Sequence, residues 1–140
     1  LARTTNPGSA LLELHGKPPA VAVLAGELAA LNAGSGAWGP LGVVVGAQAA
    51  TEAAHLRSLV PRAWFLVPGL GAQGGGVADA LAGADADGRG ALPAAARSVL
   101  FGPASLPDPG DGWADAVVAR AGVLVEKLRQ HAAVQGWSWG

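Results

Sequence analysis

An apolar run, Phe65-Leu66-Val67, leads into Pro68-Gly69-Leu70-Gly71-Ala72-Gln73-Gly74-Gly75-Gly76, where Gly69, Gly71 and Gly74 spell Gly-x-Gly-x-x-Gly. A strand that enters such a turn and leaves it as a helix gathers backbone N–H groups where an anion can rest. Three readings share the pattern: a dinucleotide pyrophosphate, a single phosphate, or a tight turn with no ligand. The dinucleotide reading is disfavoured. The motif does not open the first strand–helix unit of the chain. The acidic residue expected about 20 positions later, ending the next strand, would have to be Asp85 or Asp87, which lie in the loop "GADADGRG". Pro68 also stiffens the turn directly before its first glycine. Phosphate held by backbone N–H groups is the favoured reading, with the bare turn as its alternative.

Arg97 is the second residue with chemical promise. It opens "ARSVLF", read as the start of an apolar strand over Ala95–Phe101, where a charge adds little to stability. A guanidinium can grip phosphate through two hydrogen bonds; an exposed arginine at a strand end is the plainer alternative. In β/α barrels the loops after the last two strands often form a phosphate site, and the glycine turn and Arg97 belong to consecutive predicted strands.

Other groups offer less. Asp85 and Asp87 alternate before Gly88, but a calcium loop needs a further ligand and a glutamate at its twelfth position, which falls on Ala96; a solvated turn is expected. His15, His55 and His131 fall on separate predicted elements, without metal-ligand spacing. Cysteine is absent, which excludes disulfides and thiol chemistry and fits a cytoplasmic setting.

The elements that must position these residues are legible from pattern. The chain has 140 residues, room for one domain, with a net charge of -1 and neither a basic stripe nor an acidic tail, so no nucleic-acid partner is expected. No long unbroken apolar run suggests a membrane span. Leu1–Ala10 reads as the end of a strand and a turn at Asn6-Pro7-Gly8. Pro18-Pro19 opens a helix with Val21, Leu24, Ala25, Leu28 and Leu31 at helical spacing, ending by Asn32–Gly39. Leu41–Gly46 is a continuous β-branched run, as in a strand covered on both faces. Thr51 is placed to cap a helix carrying Leu56, Leu59 and Val60, stopped by Pro61. Trp64–Val67 is the next strand and Val77–Leu81 a short helix. After the strand over Ala95–Phe101, Asp111 is placed to cap a helix with Trp113, Val117, Ala121, Leu124 and Leu128 on one face; Trp137 and Trp139 form a tail. Alternating strands and helices predict an α/β fold with a parallel sheet. Gly-Ala-Gln recurs, ending at Gln48 and Gln73, one strand–helix unit apart.

"RTTNPGS" (Arg3–Ser9), "GPLGVVVGA" (Gly39–Ala47), "LRSLVP" (Leu56–Pro61), "LVPGLGAQGG" (Leu66–Gly75) and "GRGALPAAARSVL" (Gly88–Leu100) together resemble, in order, the orotidine 5'-phosphate decarboxylase family, in its bacterial subgroup with a Pro-Gly-x-Gly-Ala-Gln-Gly-Gly signature. The resemblance spans nearly the whole chain but only the C-terminal half of the family's barrel. It implies that residues 1–140 are a partial (β/α)8 TIM-barrel domain, about strands 5 to 8, cut from a longer sequence, since four strands cannot close a barrel.

The resemblance also implies a cofactor-free lyase that converts orotidine monophosphate to uridine monophosphate and CO2, and a homodimer at full length. It assigns phosphate binding to Gln73, with Gly74 and Gly75 admitting close backbone approach after Pro68, and to Arg97. Thr5 stands where a hydroxyl residue meets the pyrimidine ring. Gln48 replaces a common threonine, and Ala96 a serine. The family's catalytic Asp–Lys–Asp cluster has no counterpart here: Lys17 and Lys127 lack the Asp-x-Lys spacing. No catalytic residue is therefore assigned, and this stretch alone is expected to be inactive. Two other readings stay open: a non-catalytic phosphate-binding half barrel that pairs with another half or itself, and a different phosphate-binding barrel enzyme, such as an aldolase or isomerase.

Overall fold

The computed structural model describes residues 19–71, 73–103 and 110–139. The predicted strand end at Leu1–Ala10, with Thr5, His15 and Lys17, lies outside the described residues.

Helix α1 (Ala20–Asn32) begins directly after Pro19. Its buried face is narrower than its apolar stripe: Ala25 and Leu28 are buried, whereas Leu24 and Leu31 are exposed. Asn32 closes the helix as a polar clasp. Its Nδ2 donates to the Leu41 carbonyl at 3.2 Å, and its Oδ1 accepts from the Leu41 N–H at 3.3 Å. One amide thus satisfies both backbone groups of the residue that leads into the first strand, which offsets the cost of burying it.

Strands β1 (Gly42–Val44), β2 (Trp64–Pro68) and β3 (Ala91–Ala94) form a parallel sheet in the order β1-β2-β3. Val43 pairs with Phe65, and Phe65 with Ala91. Between β1 and β2 runs α2 (Ala50–Leu59), entered through a 3-10 turn at Ala47–Ala49; α3 (Val77–Leu81) follows β2. The chain then makes one helical turn, α4 (Arg97–Leu100), and ends in the long α5 (Trp113–Gln135), entered through a 3-10 turn at Gly110–Gly112. The alternation of strand and helix and the parallel pairing agree with the sequence reading.

Four expectations need correction. The last strand is Ala91–Ala94, not Ala95–Phe101. It pairs only with β2 among the described residues, and an edge strand tolerates Pro93, which has no N–H to give. The Leu100 and Phe101 N–H groups then donate to Ala96 and Arg97 carbonyls at 2.8 and 2.9 Å, so the "RSVL" segment coils instead of extending. Thr51 caps nothing: it lies inside α2, whose entry comes from the preceding 3-10 turn. Asp111 likewise sits in a 3-10 turn, and Gly112 precedes α5 without a side-chain cap. Finally, among the described residues the strands are covered on one face only. Val43, Val45, Phe65 and Val67 form the core with Ala25, Leu28, Ala53, Leu56 and Ala80. Trp64, Leu66 and Leu92, pointing the other way, are 37 %, 44 % and 47 % exposed.

On α5, Val117, Ala121, Leu124 and Leu128 are half-buried as expected, but Trp113 is exposed. The helix ends in a Schellman motif. Gly136 takes φ +75°, its N–H donates to Ala133, and the Trp137 N–H donates to Ala132.

A buried arginine ties the N-terminal ends of the strands. From the last turn of α2, Arg57 donates to the carbonyls of Gly83 (2.7 Å), Ala63 (2.7 Å), Pro61 (3.1 Å) and Gly90 (3.0 Å). Its guanidinium lies 4.1 Å from the Phe65 ring centroid and 5.3 Å from that of Trp38. Burial lowers its pKa, and the charge of Asp85 opposes that shift. Gly90, at φ +80°, is required here: a Cβ would stand 2.1 Å from Trp38 and 2.8 Å from Arg57.

Candidate phosphate site

The opposite, C-terminal ends of the strands carry the residues singled out from sequence. Gly69, Gly71 and Gly74 all take positive φ, at +100°, +82° and +87°, so each glycine of the Gly-x-Gly-x-x-Gly pattern is needed for backbone shape. The turn bonds to itself. The Gly71 N–H donates to the Gly75 carbonyl at 2.9 Å, Gly74 to Gly71 at 2.8 Å, and Gly75 to Gly69 at 3.2 Å. Gly76 N–H is taken by the Asp79 carboxylate at 2.9 Å, at the start of α3. The N–H groups of Gly74 and Gly75 are thus engaged within the loop and do not point at an open site.

The side chains behave differently. Pro68, Gly69, Leu70, Gln73, Ala94, Ala96 and Arg97 line one open cavity of about 160 Å³. β2 delivers Pro68 and the turn that bears Gln73; β3 delivers Ala94 and the residues up to Arg97. Because Pro68 pairs with Ala94 in register, the two segments leave the sheet at the same height. Gln73 and Arg97 are both exposed there. A guanidinium and a carboxamide beside one small cavity can offer several N–H donors and one full positive charge to an anion. Of the six site residues expected from sequence, Pro68, Gln73 and Arg97 come together. Gly74 is exposed and Gly75 buried against Ala47, and neither lines the cavity. Thr5 lies outside the described residues.

Gln48 was legible as half of the Gly-Ala-Gln repeat and as a departure from a common threonine. In the structure its Nε2 donates to the backbone carbonyl of Gln73, so the two glutamines of the repeat meet at adjacent strand ends. Arg57 stood in the run Leu56–Pro61 with no role assigned to it, because its hydrogen-bond acceptors are all backbone carbonyls.

A larger cavity of about 500 Å³ lies between the glycine turn, α4 and α5, lined mainly by Leu70, Val77, Val99, Val123 and Leu124. Arg120 borders it but is engaged by the carbonyls of Val99 and Leu100, at 2.6 and 2.7 Å. The acidic loop is a self-bonded turn: the Asp85 carboxylate accepts the N–H groups of Asp87 and Arg89 at 2.9 and 2.8 Å. Among the described residues no three His, Asp or Glu side chains gather as a metal site, and no helix is long and apolar enough to cross a membrane.

No family model matches the sequence. Curated proteins do. The orotidine 5'-phosphate decarboxylase of Rhodopirellula baltica is 36% identical over 138 residues, covering 92% of this chain and 46% of that protein. The chain is a relative of the orotidine 5'-phosphate decarboxylases. The decarboxylase of Deinococcus radiodurans is 38% identical over 105 residues, covering 72% of this chain and 38% of the relative. That of Halobacterium salinarum is 41% identical over 95 residues, covering 67% and 34%. The chain therefore spans less than half the length of these decarboxylases. Among solved structures, Leishmania donovani UMP synthase superposes with a TM-score of 0.55 at 32% identity, over 86% of this chain and 26% of that one. The two share an α/β arrangement.

Proposed function

We propose that this chain is the phosphate-binding, C-terminal half of an orotidine 5'-phosphate decarboxylase barrel. The observation that carries the proposal is the convergence of Gln73 and Arg97 on one cavity at the C-terminal ends of neighbouring parallel strands, in a chain 36–41% identical to named decarboxylases. The reaction would convert orotidine monophosphate to uridine monophosphate (UMP). The bond from the pyrimidine ring to its carboxylate breaks, CO2 leaves, and the ring carbon takes a proton. Gln73 and Arg97 would hold the phosphate, far from the breaking bond. Binding energy gained there lowers the barrier at the ring only when the ring is held by the same enzyme. The lysine and aspartates that the resemblance requires for protonation have no match in these 140 residues, so catalysis would need groups beyond them, and the complete enzyme would be a homodimer in the cytoplasm.

Two measurements test this. Calorimetric titration of UMP into the 140-residue chain should give saturable binding that Arg97→Ala weakens. The same chain should release no CO2 from orotidine monophosphate. Failure to bind UMP would remove the phosphate assignment, and turnover by these residues alone would overturn the placement of the catalytic groups elsewhere.

A further inference from the structure

We infer that Gln48 is a positioning residue for the phosphate cavity, acting through Gln73. The inference rests on the reading of that cavity as a phosphate site. Gln73 sits in a turn whose internal hydrogen bonds, among the described residues, join glycines: Gly71 to Gly75, Gly74 to Gly71 and Gly75 to Gly69. Those bonds shape the loop, and Gly75 packs it against Ala47. The bond from Gln48 Nε2 to the Gln73 carbonyl adds a polar tie at Gln73 itself. Gln48 belongs to the 3-10 turn Ala47–Ala49, which follows β1. That turn is itself anchored, since Ala47 and Ala49 are buried and the Ala49 N–H donates to Gly46 at 2.9 Å. Gln48 therefore ties the one polar cavity residue of the loop to the neighbouring unit of the sheet.

The packing around Gly69 agrees. A Cβ built there would stand 2.9 Å from Gln73 Oε1 and 3.1 Å from Gln48 Oε1. Both carboxamides lie over the same bare glycine, so the space that seats Gln48 also sets where the Gln73 side chain starts. With the Gln73 carbonyl held toward β1, its side chain can line the cavity shared with Arg97, on the β3 side. A freed turn would sample other tilts and place Gln73 there only part of the time.

The decisive variant is Gln48→Met, which keeps length but loses the N–H donor. We expect UMP affinity of the 140-residue chain to fall roughly threefold to tenfold, the range for one lost hydrogen bond, with an unchanged thermal midpoint. Because Gln48 acts through Gln73, the double variant Gln48→Met/Gln73→Ala should bind UMP no more weakly than Gln73→Ala alone. Additive losses, or wild-type affinity in Gln48→Met, would overturn the inference while leaving the phosphate reading intact. If the wild-type chain binds no UMP, that reading fails, and amide hydrogen exchange still tests the clasp. Faster exchange at Gly74 and Gly75 in Gln48→Met, with Val45 unaffected, supports it; unchanged exchange overturns it.

Discussion

The Arg57 guanidinium lies 4.1 Å from the Phe65 ring centroid while its nitrogens reach the carbonyls of Ala63 and Gly90, just ahead of β2 and β3. One side chain thus caps the core and satisfies carbonyls of neighbouring segments. Lysine cannot reproduce the planar fork. Arg57→Lys should lower unfolding free energy by about 3 kcal/mol, since buried carbonyls lose their donors. Urea denaturation checks this; a loss below about 1 kcal/mol would show that the carbonyls find other partners.

Gly90→Ala should be comparably damaging for a different reason. The new methyl meets Trp38 and Arg57, and φ +80° strains any L side chain. A loss of about 2 kcal/mol or more is expected. Gly74→Ala is the control: it carries the same backbone strain at φ +87° but has open space around it. It should cost about 1 kcal/mol, and equal losses at the two positions would refute the steric account.

Arg97→Ala should leave the unfolding midpoint where it is, because the residue is exposed and lies outside the core. UMP affinity should fall about tenfold or more, in keeping with a charge-assisted hydrogen bond. Arg97→Lys should recover only part of it, since a point charge replaces the fork. Full recovery would argue for attraction by charge alone.

Asp85→Ala removes the acceptor for two backbone N–H groups, those of Asp87 and Arg89. A loss of about 1–2 kcal/mol is expected. Asp85→Asn keeps an acceptor oxygen and should retain most of the stability. If both variants match wild type, the loop holds its shape without the side chain.

Sequence periodicity located α1, α2, α3, α5 and the first two strands well, because each is an apolar run bounded by proline or glycine. It failed at β3. Ala91–Ala94 has a proline and little β-branching, while the adjacent "RSVL" reads as extended until the hydrogen bonds to Ala96 and Arg97 coil it. The motif order still pointed to Gln73 and Arg97 as neighbours, and they do share a cavity, since both come after paired strands. The features that stayed hidden depend on distant backbone. Arg57 serves carbonyls scattered along the chain, and Gln48 grips a carbonyl one whole unit away. Neither has a side-chain hydrogen-bond partner that spacing could betray.

The glycine turn engages the N–H groups of Gly71, Gly74 and Gly75 with its own carbonyls. On the proposed function, an arriving phosphate would then be met chiefly by the exposed Arg97. Attraction between exposed charges is screened over a Debye length of about 8–10 Å near physiological ionic strength. Capture would accordingly be ionic in character: affinity should drop steadily as salt is raised, where a closed backbone cradle would have been largely indifferent to it.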